Sequence, residues 1–415
     1  MTERQQGFWT ITLLAAAFLM IADGARRSMG LFVSPLNTTT GLGIASISFA
    51  MAVGQFIWGA AQPIAGAIAD RYGPGRVLAG GLLILAFGSA ITPYMSTSAG
   101  LIFSIGILSA AGGGACSFAV LFGAAAQRLP AENRGMASGI INAGGSFGQF
   151  VFAPILQKLI SGIGWMGAMW AIAIVTLTAI PLARVLRRQP AAIVPADDDA
   201  PLVVAPAAPE QTMKAALKQA LANPSYLLLH AGFFTCGFHI AFLITHLPGE
   251  VQLCGLPAQV ASWSLAIIGL ANIVGSLAAG WGTQNYRSKY ILFWMYFSRA
   301  ILIIAYLLAP KTATTFYLFA AGLGLTWLAT VPPTASVVGK LFGTRYLSTL
   351  FGLTLLSHQI GGFFGAWLGG IAVVEYGSYY WMWVADIALA LLAAACNLPI
   401  KEALIAKLAP ALKTS

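Results

Sequence analysis

Charge is what this sequence has least of. Aspartate, glutamate, lysine and arginine make up 8% of its 415 residues, while 58% are hydrophobic. A soluble domain carries about 25% charged residues, so the class that remains is a polytopic membrane protein. Cysteine is scarce too: Cys116, Cys236, Cys254 and Cys396 are scattered without CxxC or Cys/His spacing. They read as small packing residues, and neither a disulfide framework nor a metal site nor a cofactor is expected. HExxH, P-loop and nucleophile–base patterns are missing, as is any stretch able to fold as a separate domain that would shelter chemistry. An enzyme is therefore not expected, nor an ATP-driven pump, and any transport must draw on an ion or substrate gradient. The opening Met-Thr-Glu-Arg-Gln-Gln runs into an apolar stretch with no signal-peptide cleavage pattern, so the first span is expected to be retained.

Twelve apolar runs of helical length lie near 8–36, 44–69, 77–95, 99–126, 134–160, 165–185, 224–247, 257–281, 289–309, 314–338, 346–373 and 378–398. Between the sixth and seventh, the stretch from Arg187 to Asn223 carries five prolines, the triplet Asp197-Asp198-Asp199 and a basic amphipathic piece around Lys214 and Lys218. That composition reads as a flexible connector. The expected organisation is all-α: a six-helix bundle over 1–188, a linker over 189–223, a second six-helix bundle over 224–400 and a tail over 401–415. With the N-terminus inside, 17 of the 22 lysines and arginines fall on cytoplasmic segments, which places both termini in the cytoplasm. The same asymmetry accounts for the formal net charge of +10 without a nucleic-acid partner.

The first span holds the densest charge of any run: Asp23, Arg26 and Arg27 stand within five residues. A charge at bilayer depth costs several kcal/mol, roughly 2.5 upward, unless it faces a partner or a water-filled space. Asp23 shares a helix face with Arg27 at i,i+4 and reaches Arg26 at i,i+3. One carboxylate neutralises one arginine, so a positive charge is left over and an anion is expected there. The two bundles also look duplicated. Gly66-Ala-Ile-Ala-Asp70-Arg71-Tyr-Gly73-Pro-Gly-Arg76 follows the second run, and Gly280-Trp-Gly-Thr-Gln284-Asn285-Tyr-Arg287 follows the eighth, 214 residues later. Internal repeats of this kind are typical of transporters whose substrate site lies at the midplane between them.

The pattern G-x-x-x-D-R-x-G with a trailing arginine, at Gly66, Asp70, Arg71, Gly73 and Arg76 after the second of twelve spans, resembles the signature of the major facilitator superfamily. The resemblance implies a loop that latches one conformation by pairing with helix ends across the two halves. It implies a weaker latch in the second copy, where Gln284 and Asn285 replace acid and base. Within the superfamily the chain resembles the monocarboxylate and oxalate/formate porter branch, particularly its bacterial members. Asp23-Gly24 is similar to the start of that branch's first-helix motif, with Arg26 and Arg27 in place of its aromatic and glycine. Arg134-Gly-Met-Ala137-Ser-Gly139-Ile-Ile-Asn142-Ala143-Gly144 is similar to its fifth-helix motif. The arginine that the branch carries in the eighth span is Ser276 here, so Arg26 or Arg27 would take over the substrate. The resemblance further implies a bacterial inner-membrane location and a monomer.

Other polar residues inside the spans have two readings each. Arg299 and Asp386 lie at similar depth on supporting helices and are expected to form a structural ion pair. His358 and Gln359, mid-span in the eleventh run, serve either substrate and proton or helix–helix hydrogen bonding. His239 in the seventh run is a candidate for the cavity, whereas His246 is expected at an interface. Asn142 and Gln149 share one face of the fifth run, and Gln55, Trp58 and Gln62 one face of the second. The expected activity is secondary transport of a small organic anion, a monocarboxylate, together with a proton. Arg26 or Arg27 would hold the carboxylate, and Asp23 or His358 would take the proton. The competing readings are an exporter of neutral or cationic drugs working through Asp23, and a non-transporting membrane sensor.

Overall fold

A computed structural model of the chain describes residues 3–24, 26–186 and 212–402. The prolines and the aspartate triplet of the expected linker, with Arg187 and Arg188, lie outside the described residues, as does the tail beyond Glu402. The described residues are helical, with no strand among them. In chain order the helices are α1 (Glu3–Gly24), a 3₁₀ segment (Arg26–Phe32), α2 (Val33–Thr40), α3 (Ile44–Tyr72) and α4 (Pro74–Ile91). After a further 3₁₀ turn (Thr92–Tyr94) come α5 (Ser98–Leu101), a π-helical stretch (Ile102–Ser109), α6 (Ala110–Ala115), α7 (Phe118–Ala126), α8 (Ala131–Leu177) and α9 (Ile180–Val185). Then follow α10 (Met213–Leu221), α11 (Pro224–Leu253), α12 (Ala258–Asn285) and α13 (Ser288–Leu308). The last four are α14 (Ala313–Gly324), α15 (Val331–Phe342), α16 (Leu347–Tyr376) and α17 (Tyr380–Asn397).

The local chemistry explains the ends. Asn223 precedes Pro224, and its Oδ1 accepts from the Tyr226 amide at 3.2 Å, a polar cap before a proline that needs no donor. Thr312 caps α14 by accepting from the Thr315 amide at 3.3 Å. Nine helical segments among the described residues are long and apolar enough to cross a membrane. One of them, Glu132–Arg184, has 53 residues, about 80 Å of helix, which is more than twice a hydrocarbon core of about 30 Å. It breaks at Gly164, whose φ of 76° favours glycine, and so holds the fifth and sixth expected runs. The tenth run is interrupted at Leu325–Thr330, between α14 and α15. Pro332 and Pro333 sit in the first turn of α15, where their missing donors leave no ladder bond unmade.

Lipid supplies no hydrophobic drive for helix to meet helix, so close approach must come from small residues. The 46 glycines provide it. The helices before residue 187 meet those after 211 along two long seams, α3 with α16 and α8 with α12. A Cβ on Gly66 would stand 2.8 Å from the Ser348 carbonyl oxygen, and one on Gly139 would stand 2.7 Å from that of Ser276. Within the N-terminal set α1 lies on α8, and a Cβ on Gly24 would stand 2.8 Å from the Gly148 Cα. The site described next sits where these seams converge.

Candidate functional site

The first expected run is not one continuous helix. The α-helix ends at Gly24, and the chain resumes as a 3₁₀ segment from Arg26. The two arginines thus follow a helix C-terminus, whose free carbonyls carry partial negative charge and favour cations. Asp23 on the last turn of α1 holds both. Its Oδ1 accepts from Arg26 Nε and its Oδ2 from Arg27 Nε, each at 2.6 Å. One carboxylate bridging two guanidiniums leaves the trio with a net charge of +1.

The two arginines are held differently. Arg27 is buried, its side chain 3% exposed, and lies against α8 where a Cβ on Gly145 would stand 2.7 Å from Nη2. Its Nη1 is buried and has no hydrogen-bond partner. Arg26 is 21% exposed; its Nη1 donates to Gln55 Oε1 at 3.3 Å, and its guanidinium lies 4.1 Å from the Trp58 ring centroid. That stacking places a planar cation on the face of an aromatic quadrupole.

These side chains line one narrow cavity of about 30 Å³, together with Asn142, His358 and Gln359. A water needs roughly 10–15 Å³ on this scale, so the space matches a group of carboxylate size. Gln359 Nε2 lies 2.6 Å from His358 Nδ1. An amide nitrogen only donates, so Nδ1 accepts and the ring hydrogen sits on Nε2. That Nε2 is buried without a partner, as is Gln359 Oε1. Two buried donors, one on Arg27 and one on His358, are therefore left unmatched around a cavity of net positive charge. Orphaned buried donors are costly, and an acceptor placed in the cavity would satisfy them.

The remaining candidates are placed elsewhere or otherwise engaged. Asn142 lines the cavity, but its Nδ2 donates at 2.8 Å to both Ser276 Oγ and the Leu328 carbonyl, tying α8 to α12 and to the break in the tenth run. Asn272 holds the same break from α12, accepting from the Leu328 amide at 3.1 Å. His239 is completely buried and pairs through Nδ1 with Asp386. This corrects the expected Arg299–Asp386 ion pair. Arg299 instead donates from Nη2 to the Thr326 and Trp327 carbonyls at 2.7 and 3.1 Å, groups freed by the same break. His246 meets the Ala366 carbonyl at 2.7 Å, an interfacial role. Gln55, Trp58 and the cavity walls at Gly237 and Leu328 were not singled out as substrate residues. For Gln55 and Trp58 the one-face spacing on α3 was the available signal; for the other two there was none.

At the end of the bundle holding the glycine-rich loop, Asp70 Oδ2 accepts from the Thr349 amide at 3.2 Å and from Thr349 Oγ1 at 2.8 Å. Arg71 and Arg76 are exposed, and Gly66 and Gly73 serve the seam and the turn, Gly73 with φ of 94°. In the second copy Gln284 Nε2 donates to the Glu132 carbonyl. Wider spaces lie at both ends: about 620 Å³ beside Ser34, Asn37 and His246, and about 530 and 610 Å³ beside Asp70 and Lys340. The central cavity is much narrower than these spaces and lies between them.

Comparison with known proteins agrees with this architecture. The family model described as Major Facilitator Superfamily matches residues 12–366. Monocarboxylate transporter 13 of Rattus norvegicus is 26% identical over 392 residues, covering 91% of this chain and 86% of its own. The oxalate:formate antiporter of Oxalobacter formigenes is 23% identical, covering 89% and 86%, and monocarboxylate transporter 11 of Mus musculus is 26% identical, covering 90% and 83%. A match over most of the length, on an all-helical scaffold with membrane-spanning helices, together with relatives named as transporters, makes the chain a transporter rather than an enzyme and a member of the major facilitator superfamily.

Proposed function

We propose that this transporter carries a small monocarboxylate together with a proton, by alternating access of two six-helix halves joined near residues 189–223. The observation that carries the reading is the Asp23–Arg26–Arg27 trio: a net charge of +1 at a cavity of carboxylate size, with Arg27 Nη1 and His358 Nε2 unmatched. The carboxylate docks on the arginines in a charge-assisted pair. Asp23 occupies their Nε atoms when substrate is absent. Asp23 or His358 takes the proton; on Asp23 it releases both guanidiniums to the carboxylate, so anion and proton entering together leave the site at the net +1 it carries when empty. The names of the relatives, monocarboxylate and oxalate:formate carriers, support an organic anion. The drug-exporter reading needs a free acid, and Asp23 is fully engaged by two guanidiniums. The setting proposed is a bacterial inner membrane, with a monomeric protein and both termini in the cytoplasm.

Thermal stabilisation of the purified protein tests the substrate class, because binding to the native state raises the melting temperature by mass action. Short monocarboxylates are expected to stabilise the parent protein and to leave Arg26→Gln unmoved. Shifts with cationic amphiphiles alone would return Asp23 to the centre and sink the anion reading. Proton coupling has its own check. Uptake into proteoliposomes is expected to accelerate under an inward proton gradient and to lose that gain when a protonophore is added. Rates indifferent to the gradient would remove the proton from the mechanism.

A further inference from the structure

Beside the polar cavity lies a second, larger one of about 80 Å³, lined mostly by the N-terminal helices and on one side by Ile244 and Thr245 of α11. Met29 of the 3₁₀ segment, Met51 of α3, Ile105 of the π-helical stretch, and Met169 and Ile172 of α8 form its walls. Two of its four hydroxyls are turned back on their own helices: Ser89 donates to the Leu85 carbonyl at 2.9 Å and Thr176 to that of Ile172 at 2.8 Å, while Ser109 Oγ is buried without a partner. Arg26 is the charged residue among its described lining groups. Arg26, Gln55 and Ile244 line the polar cavity as well, so the guanidinium stands on the boundary between the two spaces. Thr245 lines both this pocket and the wide space beside Ser34 and His246, which gives the pocket a side toward one mouth of the bundle.

We infer that this pocket receives the hydrocarbon tail of the substrate, and that the preferred substrates are short saturated monocarboxylates rather than dicarboxylates. The inference rests on the anion reading above and deepens it. With the carboxylate on Arg26 and Arg27, a chain extending past Arg26 enters the methionine-lined space. An apolar cavity of about 150 Å³ holds a benzene ring, so half that volume suits a tail of about three carbons. Methionine is unbranched and adaptable, and lines such a space without fixing one tail shape. A second carboxylate would have to enter the same apolar space, where no further cation waits for it, and a buried unpaired charge is strongly disfavoured. Formate and acetate would leave the pocket unfilled.

The test is a binding series on the purified full chain, read by thermal stabilisation, with acetate, propionate, butyrate, hexanoate and oxalate as probes. Affinity is expected to rise about fourfold per methylene up to butyrate, following the transfer of each CH₂ from water, and to fall at hexanoate. Met51→Phe, which fills the pocket, moves the optimum toward acetate; Met169→Ala, which enlarges it, moves the optimum toward longer acids. Opposite shifts separate a tail pocket from general damage, which would weaken every probe in both variants alike. Carboxylate binding that depends on Arg26 but is flat with chain length, or oxalate binding tighter than butyrate, overturns the tail pocket and leaves the anion reading standing. Failure of every carboxylate to bind overturns both.

Discussion

Arg27→Gln is expected to reduce carboxylate uptake by about thirtyfold or more while the protein still folds and inserts. The magnitude follows from removing a desolvated, charge-assisted contact whose loss costs about 2–5 kcal/mol in a buried setting. Folding survives because Asp23 keeps Arg26, 2.6 Å away, and the trio becomes neutral instead of positive. Asp23→Asn has the opposite character. It leaves two guanidiniums side by side without an anion, and breaking a buried pair costs about 3–5 kcal/mol. Stability should fall first there, and transport with it. Combining the two changes returns the net charge to +1 on Arg26 alone, so the double variant should regain most of the stability lost in Asp23→Asn and little of the transport. Arg27→Lys keeps the charge but loses the fork that lets Nε face Asp23 while Nη1 faces the cavity. Counterflow into proteoliposomes, read beside the melting temperature, checks all four. Full uptake by Arg27→Gln would end the assignment of this arginine to the anion.

How much of this was readable beforehand follows a physical line. Charges in an apolar run announce themselves, because a membrane tolerates them only with partners; hence Asp23, Arg26 and Arg27 stood out from sequence. What they pair with depends on distances between helices, which no sequence spacing along one helix contains. Arg299 and Asp386 share a depth, yet His239 on α11 takes the carboxylate and the broken tenth run takes the guanidinium. That run carries Pro332 and Pro333, but nothing in its spacing shows that Leu325–Thr330 unwinds ahead of them and places Leu328 between Asn142 and Asn272. The apolar pocket was invisible for a simpler reason. Met29, Met51 and Met169 lie on three separate elements, and nothing in their spacing distinguishes them from core.

Breaking the Asp70 contact should open the end of the bundle where it lies. Helix α16 begins at Leu347 with no side-chain cap of its own, and Asp70 of α3 supplies one by accepting from the third amide and its hydroxyl. A cap, aided by an anion at the positive end of a helix dipole, contributes about 1–2 kcal/mol. That bond holds only while the α3–α16 seam is closed, so Asp70→Ala, which removes the acceptor, moves the closed-to-open ratio by roughly 5- to 30-fold. Gly66→Val acts on the same seam by bulk, since even a Cβ there would meet the Ser348 carbonyl oxygen at 2.8 Å. The second copy is a control at the corresponding position of the repeat, with a neutral side chain that donates where Asp70 accepts. Gln284 makes a neutral bond to the Glu132 carbonyl, worth about 0.5–1.5 kcal/mol, so Gln284→Ala should open the bundle less. Ser138 is buried on the α8 side of this end, 1% exposed. A cysteine placed there, with the four native cysteines replaced, reports opening by its labelling rate. Asp70→Ala and Gly66→Val should label faster than the parent, with Gln284→Ala between. If Gln284→Ala labels as fast as Asp70→Ala, the carboxylate is not what holds this end closed, and glycine packing along the seam alone must account for it.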